Sequence, residues 1–213
     1  MQLYSFFNSS TSYRVRIALA LKGLPYETLP VNIRTDEHRA AGYVEHINPS
    51  AGVPALIDGE MHLSQSLAII DYLDACHPAT RLIPREPLRR ARVLELANAI
   101  ACDIHPVNNL RVLRYLQDVL EVSPEQKDAW YRHWIDEGMS TVERLLARYS
   151  AGPWCFGESP TLADVTLVPQ MANALRMGCS LERYERAMAV YEHASAHPAF
   201  KAAAPAQQPD FTA

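Results

Sequence analysis

The chain has no apolar run near the roughly 18 residues that a membrane-crossing helix needs, so no span is expected. Its four cysteines, Cys76, Cys102, Cys155 and Cys179, are scattered, without a C-x-x-C pair or a metal-type spacing. They read as free thiols of a reducing compartment, mostly filling cores. The eight histidines are dispersed and contain no H-E-x-x-H, so no metal is expected. There is little excess of charge: a net charge of -4 argues against a general nucleic-acid binder and leaves room only for a local basic pocket. The N-terminus runs straight into a strand pattern, with no basic segment followed by an apolar one, so no signal peptide and a cytoplasmic location are expected. No internal repeat or low-complexity block is found.

What remains is an ordinary globular composition, 48% hydrophobic and 21% charged over 213 residues, enough for one domain or two small ones. The first part alternates strands and helices. Gln2–Phe7 reads as a strand, Tyr13–Lys22 as a helix ending at Gly23, and Tyr26–Val31 as a strand. Asp36–Ile47 has helical spacing, Val53–Ile57 and Met61–Leu63 form a hairpin across Asp58-Gly59, and Leu67–Cys76 is a strong helix. A βαβ unit followed by a helix, a hairpin and a helix makes a compact α/β domain over 1–80. A Pro-rich linker over 81–87 follows, and from 88 to 213 the periodicity is helical. Helices are expected over Leu88–Leu120 (two, or one bent near Pro106), Pro124–Arg148, Thr161–Met177 and Arg183–His197, with an irregular tail from Ala202.

Four hydroxyl residues, Ser9-Ser10-Thr11-Ser12, lie between the first strand and the first helix. One can cap the helix, and the spare ones at a positive helix end can hold an anion. Gln65-Ser66 opens a second helix and offers the same choice between a cap and a carboxylate site. Val53-Pro54 stands at a strand start, where proline's missing N–H is tolerated; few X–Pro bonds are cis, and a cis bond there would free the Val53 backbone groups for an extended peptide. Thr161 with Asp164 fits a capping box and reads as structural. His105, Asn109 and Arg111 place polar groups inside an apolar helical stretch, as a solvated face or as a polar wall for a ligand. Arg176 ends an apolar helix, where a solvated cation is the plain reading.

Together these features resemble the glutathione transferases: a thioredoxin-like α/β N-terminal domain, a Pro-rich linker and an all-α C-terminal domain. Ser9-Ser10-Thr11-Ser12-Tyr13-Arg14-Val15-Arg16-Ile17-Ala18-Leu19 is similar to the S-S-C-S-x-R-V-R-I-A-L signature of the zeta class. Asn48-Pro49, Val53-Pro54-Ala55-Leu56, Gln65-Ser66-Leu67-Ala68-Ile69-Ile70, Leu167-Val168-Pro169-Gln170 and Gln208-Pro209-Asp210 extend the match across the chain. The resemblance implies glutathione as cofactor and cis–trans isomerisation of a maleyl keto acid, by reversible addition of the thiolate to the double bond. It implies catalytic roles for Ser9, Ser10 and Thr11, with Ser9 holding the sulfur. It assigns glutathione to His38, Val53, a cis Pro54, Gln65, Ser66, His105 and Asn109, and the substrate's carboxylates to Arg111 and Arg176 beside Asn8. A homodimer is implied as well. Two positions depart from the class: Thr11 replaces the usual Cys and cannot become a thiolate, and Asn8 replaces a usual Arg, which removes a cation. A transferase acting on small α-halo acids or other electrophiles, and a non-catalytic binding module, are the alternatives.

Overall fold

The computed structural model describes residues 1–212. The chain divides into two compact units, one of Met1–Ile83 together with the segment from Ser195 onward, the other of Pro84–Ala194. The sequence placed everything after 88 in the helical domain. The structure differs at the C-terminus, because the last stretch carries side chains and carbonyls that satisfy buried groups of the first unit.

In the first unit, β1 (Gln2–Ser5), β2 (Glu27–Pro30), β3 (Ala55–Asp58) and β4 (Met61–Ser64) form one sheet in the order β2-β1-β3-β4. β1 pairs parallel with β2 across α1 (Ser10–Lys22), and antiparallel with β3, which forms a hairpin with β4. Side chains alternate across a strand, so Leu3 and Tyr4 face opposite ways. Leu3 joins Val15 and Leu19 of α1, Leu56 of β3, and Ile69 and Leu73 of α3 (Ser66–Cys76) in one fully buried cluster. Tyr4 meets Tyr43 of α2 (Ala41–His46) edge to face, with ring centres 6.0 Å apart. The helix expected over Asp36–Ile47 is broken. A short 3-10 turn, Glu37–Arg39, precedes α2, and the Glu37 carboxylate accepts the Asn32 N–H at 2.7 Å instead of continuing a helix face.

This unit is closed at 74–83 by a buried ion pair. Lys22 Nζ lies 2.7 Å from Asp74, and Asp74 also accepts the Leu82 and Ile83 N–H groups. Part of the expected linker is therefore buried and anchored: Leu82 and Ile83 belong to the core.

The second unit is helical. α4 (Pro87–Asn98) is capped by the Glu86 carboxylate. It continues into a π-helical stretch, Ala99–Ile104, then a short turn over Pro106–Asn108 and α5 (Leu110–Asp118). The sequence offered two helices or one bent helix here; the break is this π-helical stretch with Pro106. A Cβ added at Gly138 of α6 (Pro124–Tyr149) would stand 2.1 Å from Ile104 Cγ1. Only a glycine lets the π-helical stretch approach α6 so closely. α7 (Leu162–Arg176) is the central, nearly fully buried helix. Its first turn is fixed by Asp164, which accepts the Cys155 N–H at 2.7 Å, the Thr161 N–H at 2.8 Å and the Thr161 hydroxyl at 2.9 Å. α8 (Glu185–Ala196) leads to α9 (Pro198–Ala203), a short helix ahead of the tail expected to be irregular from Ala202; beyond α9 that tail holds only a 3-10 turn at Pro205–Gln207 among its described residues. No helix among the described residues is long and apolar enough to cross a membrane.

Candidate active site

The hydroxyl cluster sits where α1 begins. Ser9 is the N-cap: its Oγ accepts the Ser12 N–H at 3.2 Å and its carbonyl accepts the Tyr13 N–H at 2.9 Å. Capping does not exhaust it. Ser9 Oγ and Thr11 Oγ1 are 2.9 Å apart, and Thr11 Oγ1 donates to the Val53 carbonyl at 3.0 Å. A hydroxyl has one proton to give. Thr11 spends its proton on Val53, so the Ser9 hydroxyl is the donor to Thr11. The result is a directed chain from Ser9 through Thr11 to Val53. No acidic residue lies in the first turn of α1, so the positive end of its dipole is left to favour an anion. Ser9 and Ser10 are buried and Thr11 is half-buried, which weakens competition from water.

Of the other predicted residues, Val53 meets this cluster. The Val53–Pro54 peptide is cis. The Val53 carbonyl already holds the Thr11 hydroxyl and keeps a second lone pair for a peptide N–H. At the start of α3, Gln65 is the cap residue but its side chain makes no cap bond. Its backbone lies at φ 72° and ψ 109°, a sparsely populated conformation that costs on the order of 1–3 kcal/mol and concentrates at ligand sites. Ser66 is buried, and its Oγ accepts from Arg14 Nη1 at 3.3 Å. The Ser66 proton is thus left to donate, with a guanidinium behind it. With no acidic residue in the first turn of α3, this helix start suits a carboxylate.

The other predicted residues are distributed as follows. Asn8 lies half-buried in the loop before Ser9, and His38 is buried in the turn before α2. His105, Asn109, Arg111 and Arg176 belong to the second unit. His105 ends the π-helical stretch, and Asn109 caps α5 by accepting the Val112 N–H at 3.2 Å, so its side-chain oxygen has a structural duty. Arg111 lies exposed in the first turn of α5. Arg176, exposed at the end of α7, donates to Asn173, which in turn donates to the Tyr131 hydroxyl at 2.9 Å.

Sequence reasoning assigned no role to Arg14, Arg16 or Asp210. Arg16 is fully buried and its guanidinium donates to the Ala203 and Phe7 carbonyls at 2.9 Å, to Ser5 Oγ at 3.0 Å and to the Phe6 carbonyl at 3.3 Å. Burial lowers its pKa to about 10, so it remains charged at neutral pH. Two arginines set among the apolar residues of α1, Arg14 and Arg16, were the signal available; the partners of Arg16, mostly backbone carbonyls, leave no trace in a sequence.

Residues 1–75 match the family model described as the glutathione S-transferase N-terminal domain. The chain is 47% identical to the maleylacetoacetate isomerase of Pseudomonas aeruginosa over 213 residues, 99% of this chain and 98% of that one. A solved structure described as the holo structure of maleyl pyruvate isomerase, a bacterial glutathione S-transferase in the zeta class, is 43% identical with a TM-score of 0.97, covering 100% of both chains. The maleylacetoacetate isomerase of Methylobacterium extorquens AM1, solved with bound malonate and GSH, is 32% identical with a TM-score of 0.96, covering 100% of both chains.

Proposed function

Since the chain belongs to the zeta-class glutathione transferase family, we propose that it is a glutathione-dependent cis–trans isomerase of a maleyl keto acid, maleylpyruvate or maleylacetoacetate, in the breakdown of an aromatic acid. The observation that carries this reading is the directed hydroxyl chain from Ser9 through Thr11 to Val53 at an uncontested helix N-terminus. Glutathione, when bound, supplies a sulfur nucleophile for reversible addition to the cis double bond.

The residues present fit that cofactor. The Ser9 hydroxyl turns from Thr11 toward the sulfur and donates to its anionic form. A free thiol has a pKa of about 8.5, so such a bond and the α1 dipole raise the reactive fraction at neutral pH. Ser10 lies beside it in the first turn. Val53 pairs with the cysteinyl backbone through its N–H and its remaining carbonyl lone pair. Gln65 and Ser66 receive the γ-glutamyl end at the start of α3, with Arg14 compensating its charge. Thr11 holds the Val53 carbonyl in place and does not act as a nucleophile. His38, His105 and Asn109 complete the cofactor contacts. Arg111 and Arg176 bind the carboxylates of the keto acid and take up negative charge as it develops. Asn8 contributes an uncharged donor, so dianion recognition rests on the two arginines. The protein works as a cytoplasmic homodimer, each chain of which carries a thioredoxin-like domain and a helical one.

The test follows the ultraviolet decay of maleylpyruvate, and separately of maleylacetoacetate, with and without glutathione, with the fumaryl products identified by chromatography. Fast decay of one substrate only with glutathione is expected. No acceleration of either substrate overturns the proposal and transfers the site to α-halo acids or to binding alone. Arg111→Ala and Arg176→Ala each raise KM for the keto acid roughly 10–100-fold, the equivalent of one charge-assisted bond of about 1.5–3 kcal/mol. Light scattering in solution checks the dimer.

A further inference from the structure

The loop that delivers Ser9 runs from Phe6 to Asn8 between β1 and α1, and its Phe6 carbonyl and both polar backbone groups of Phe7 are held by side chains from elsewhere in the same unit. The Phe6 carbonyl accepts both the Ser9 N–H at 3.0 Å and Arg16 Nη1 at 3.3 Å. The Phe7 carbonyl accepts Arg16 Nη2 at 2.9 Å, and the Phe7 N–H donates to Asp210 Oδ2 at 2.8 Å, a partner 203 residues away. The Phe7 ring meets Phe211 edge to face with centres 5.4 Å apart.

The C-terminal stretch is itself anchored for this contact. Arg16 Nε donates to the Ala203 carbonyl, and the Tyr13 hydroxyl donates to the Phe200 carbonyl at 3.1 Å. Gln208 is buried, and its Nε2 spans the Ala202 and Ala204 carbonyls at 3.1 and 3.0 Å, closing the end of α9 and turning the chain toward Asp210. Gln208-Pro209-Asp210 thus acts as a clasp: Gln208 sets the turn, Pro209 stiffens it, and Asp210 takes the Phe7 N–H.

We propose that Asp210 is a positioning residue for the thiol site, acting through the Phe7 backbone to hold Ser9 where its hydroxyl meets the glutathione sulfur. This rests on the reading that Ser9 holds that sulfur. A hydroxyl donor works only within a narrow distance and angle, and misplacement of a functional group by about 1 Å is costly. The Ser9 loop has no ladder bonds of its own, so the clasp supplies its order before the cofactor arrives, and that ordering need not be met at binding.

The experiment compares the full-length wild type with Asp210→Ala, Asp210→Asn and Phe211→Ala. It measures glutathione Kd by calorimetry, KM for glutathione, kcat at saturating glutathione, and Tm. Asp210→Ala is expected to weaken glutathione about ten-fold in Kd and KM, the ratio that follows from one bond to a charged acceptor, while kcat changes less. Asp210→Asn keeps an oxygen acceptor for the Phe7 N–H and stays within about two-fold of wild type, since a neutral bond retains much of the net gain. If Asp210→Ala does not fold, Phe211→Ala, which removes only the ring contact, is expected to weaken glutathione by about three-fold, the worth of one aromatic pair. A lowered Tm with unchanged glutathione affinity overturns the proposal, as does Asp210→Asn as weak as Asp210→Ala. Wild-type protein that binds no glutathione overturns the reading of the site instead. Wild type that binds glutathione but isomerises nothing overturns only the proposed reaction.

Discussion

Ser9 and Thr11 are expected to tune the bound thiol in opposite directions, and this follows from counting protons. In the free protein Ser9 gives its proton to Thr11, and Thr11 gives its own to the Val53 carbonyl. To stabilise a thiolate, Ser9 must leave a neutral bond worth about 1 kcal/mol net for a charge-assisted one worth about 1.5–3 kcal/mol. The surplus of about 0.5–2 kcal/mol corresponds to a depression of roughly 0.4–1.5 pH units in the thiol pKa. Ser9→Ala forfeits that surplus, so the bound thiol titrates roughly one unit higher and the acid limb of the rate profile moves to higher pH. The same change removes the α1 cap, which costs about 1 kcal/mol and about 2–4 °C in Tm. Thr11→Val keeps the shape but removes the acceptor that competes for the Ser9 proton. The bound thiol is then expected to titrate at an equal or lower pH, by up to about 0.7 unit. Thiolate absorbance near 240 nm, followed against pH in glutathione-saturated protein, reads both. A pKa raised by Thr11→Val as much as by Ser9→Ala would refute the assignment of donors, and an unmoved pKa in Ser9→Ala would refute the role of Ser9.

Three other outcomes are expected from the rest of the molecule. Asp164→Ala strands the buried Cys155 and Thr161 N–H groups, each costing about 1–3 kcal/mol, and a thermal scan should show Tm falling by roughly 5–15 °C. Burial raises the Asp164 carboxyl above its ordinary value, against the pull of its hydrogen bonds. The folded form therefore keeps its proton to higher pH than the unfolded chain, so stability on its account is present at low pH and is lost as pH climbs through the raised value; a denaturation series across that range should lose this slope in Asp164→Ala. Gly138→Ala drives a methyl into Ile104 and should destabilise by about 1–3 kcal/mol in urea unfolding. Native alkylation followed by mass spectrometry should mark the exposed Cys76 and Cys102 and spare the buried Cys155 and Cys179, whose thiols burial also pushes up.

Local order was legible in the chain because it depends on near neighbours. The β1–α1–β2 succession, the Asp58-Gly59 hairpin turn, the Gly23 helix stop and the Thr161–Asp164 box all follow from residue type and period. So did the hydroxyl run and its place at a helix start. Boundaries shifted where side chains competed locally: Glu37 bonded backward to Asn32 and split the helix expected there. The π-helical stretch over Ala99–Ile104 could not be read, because it depends on the glycine of another helix far along the chain.

The sequence by itself determined which elements form and that hydroxyl groups crowd the start of α1, since periodicity, capping and turn chemistry act over a few residues. Only the tertiary structure decided what those hydroxyls do. It set the direction of the Ser9–Thr11–Val53 chain by bringing residue 53 to residue 11. It also bound the end of the chain to the Ser9 loop through Arg16 and Asp210. Those links run to backbone carbonyls and N–H groups, which every residue carries alike, so no pattern of side chains along the chain can announce them.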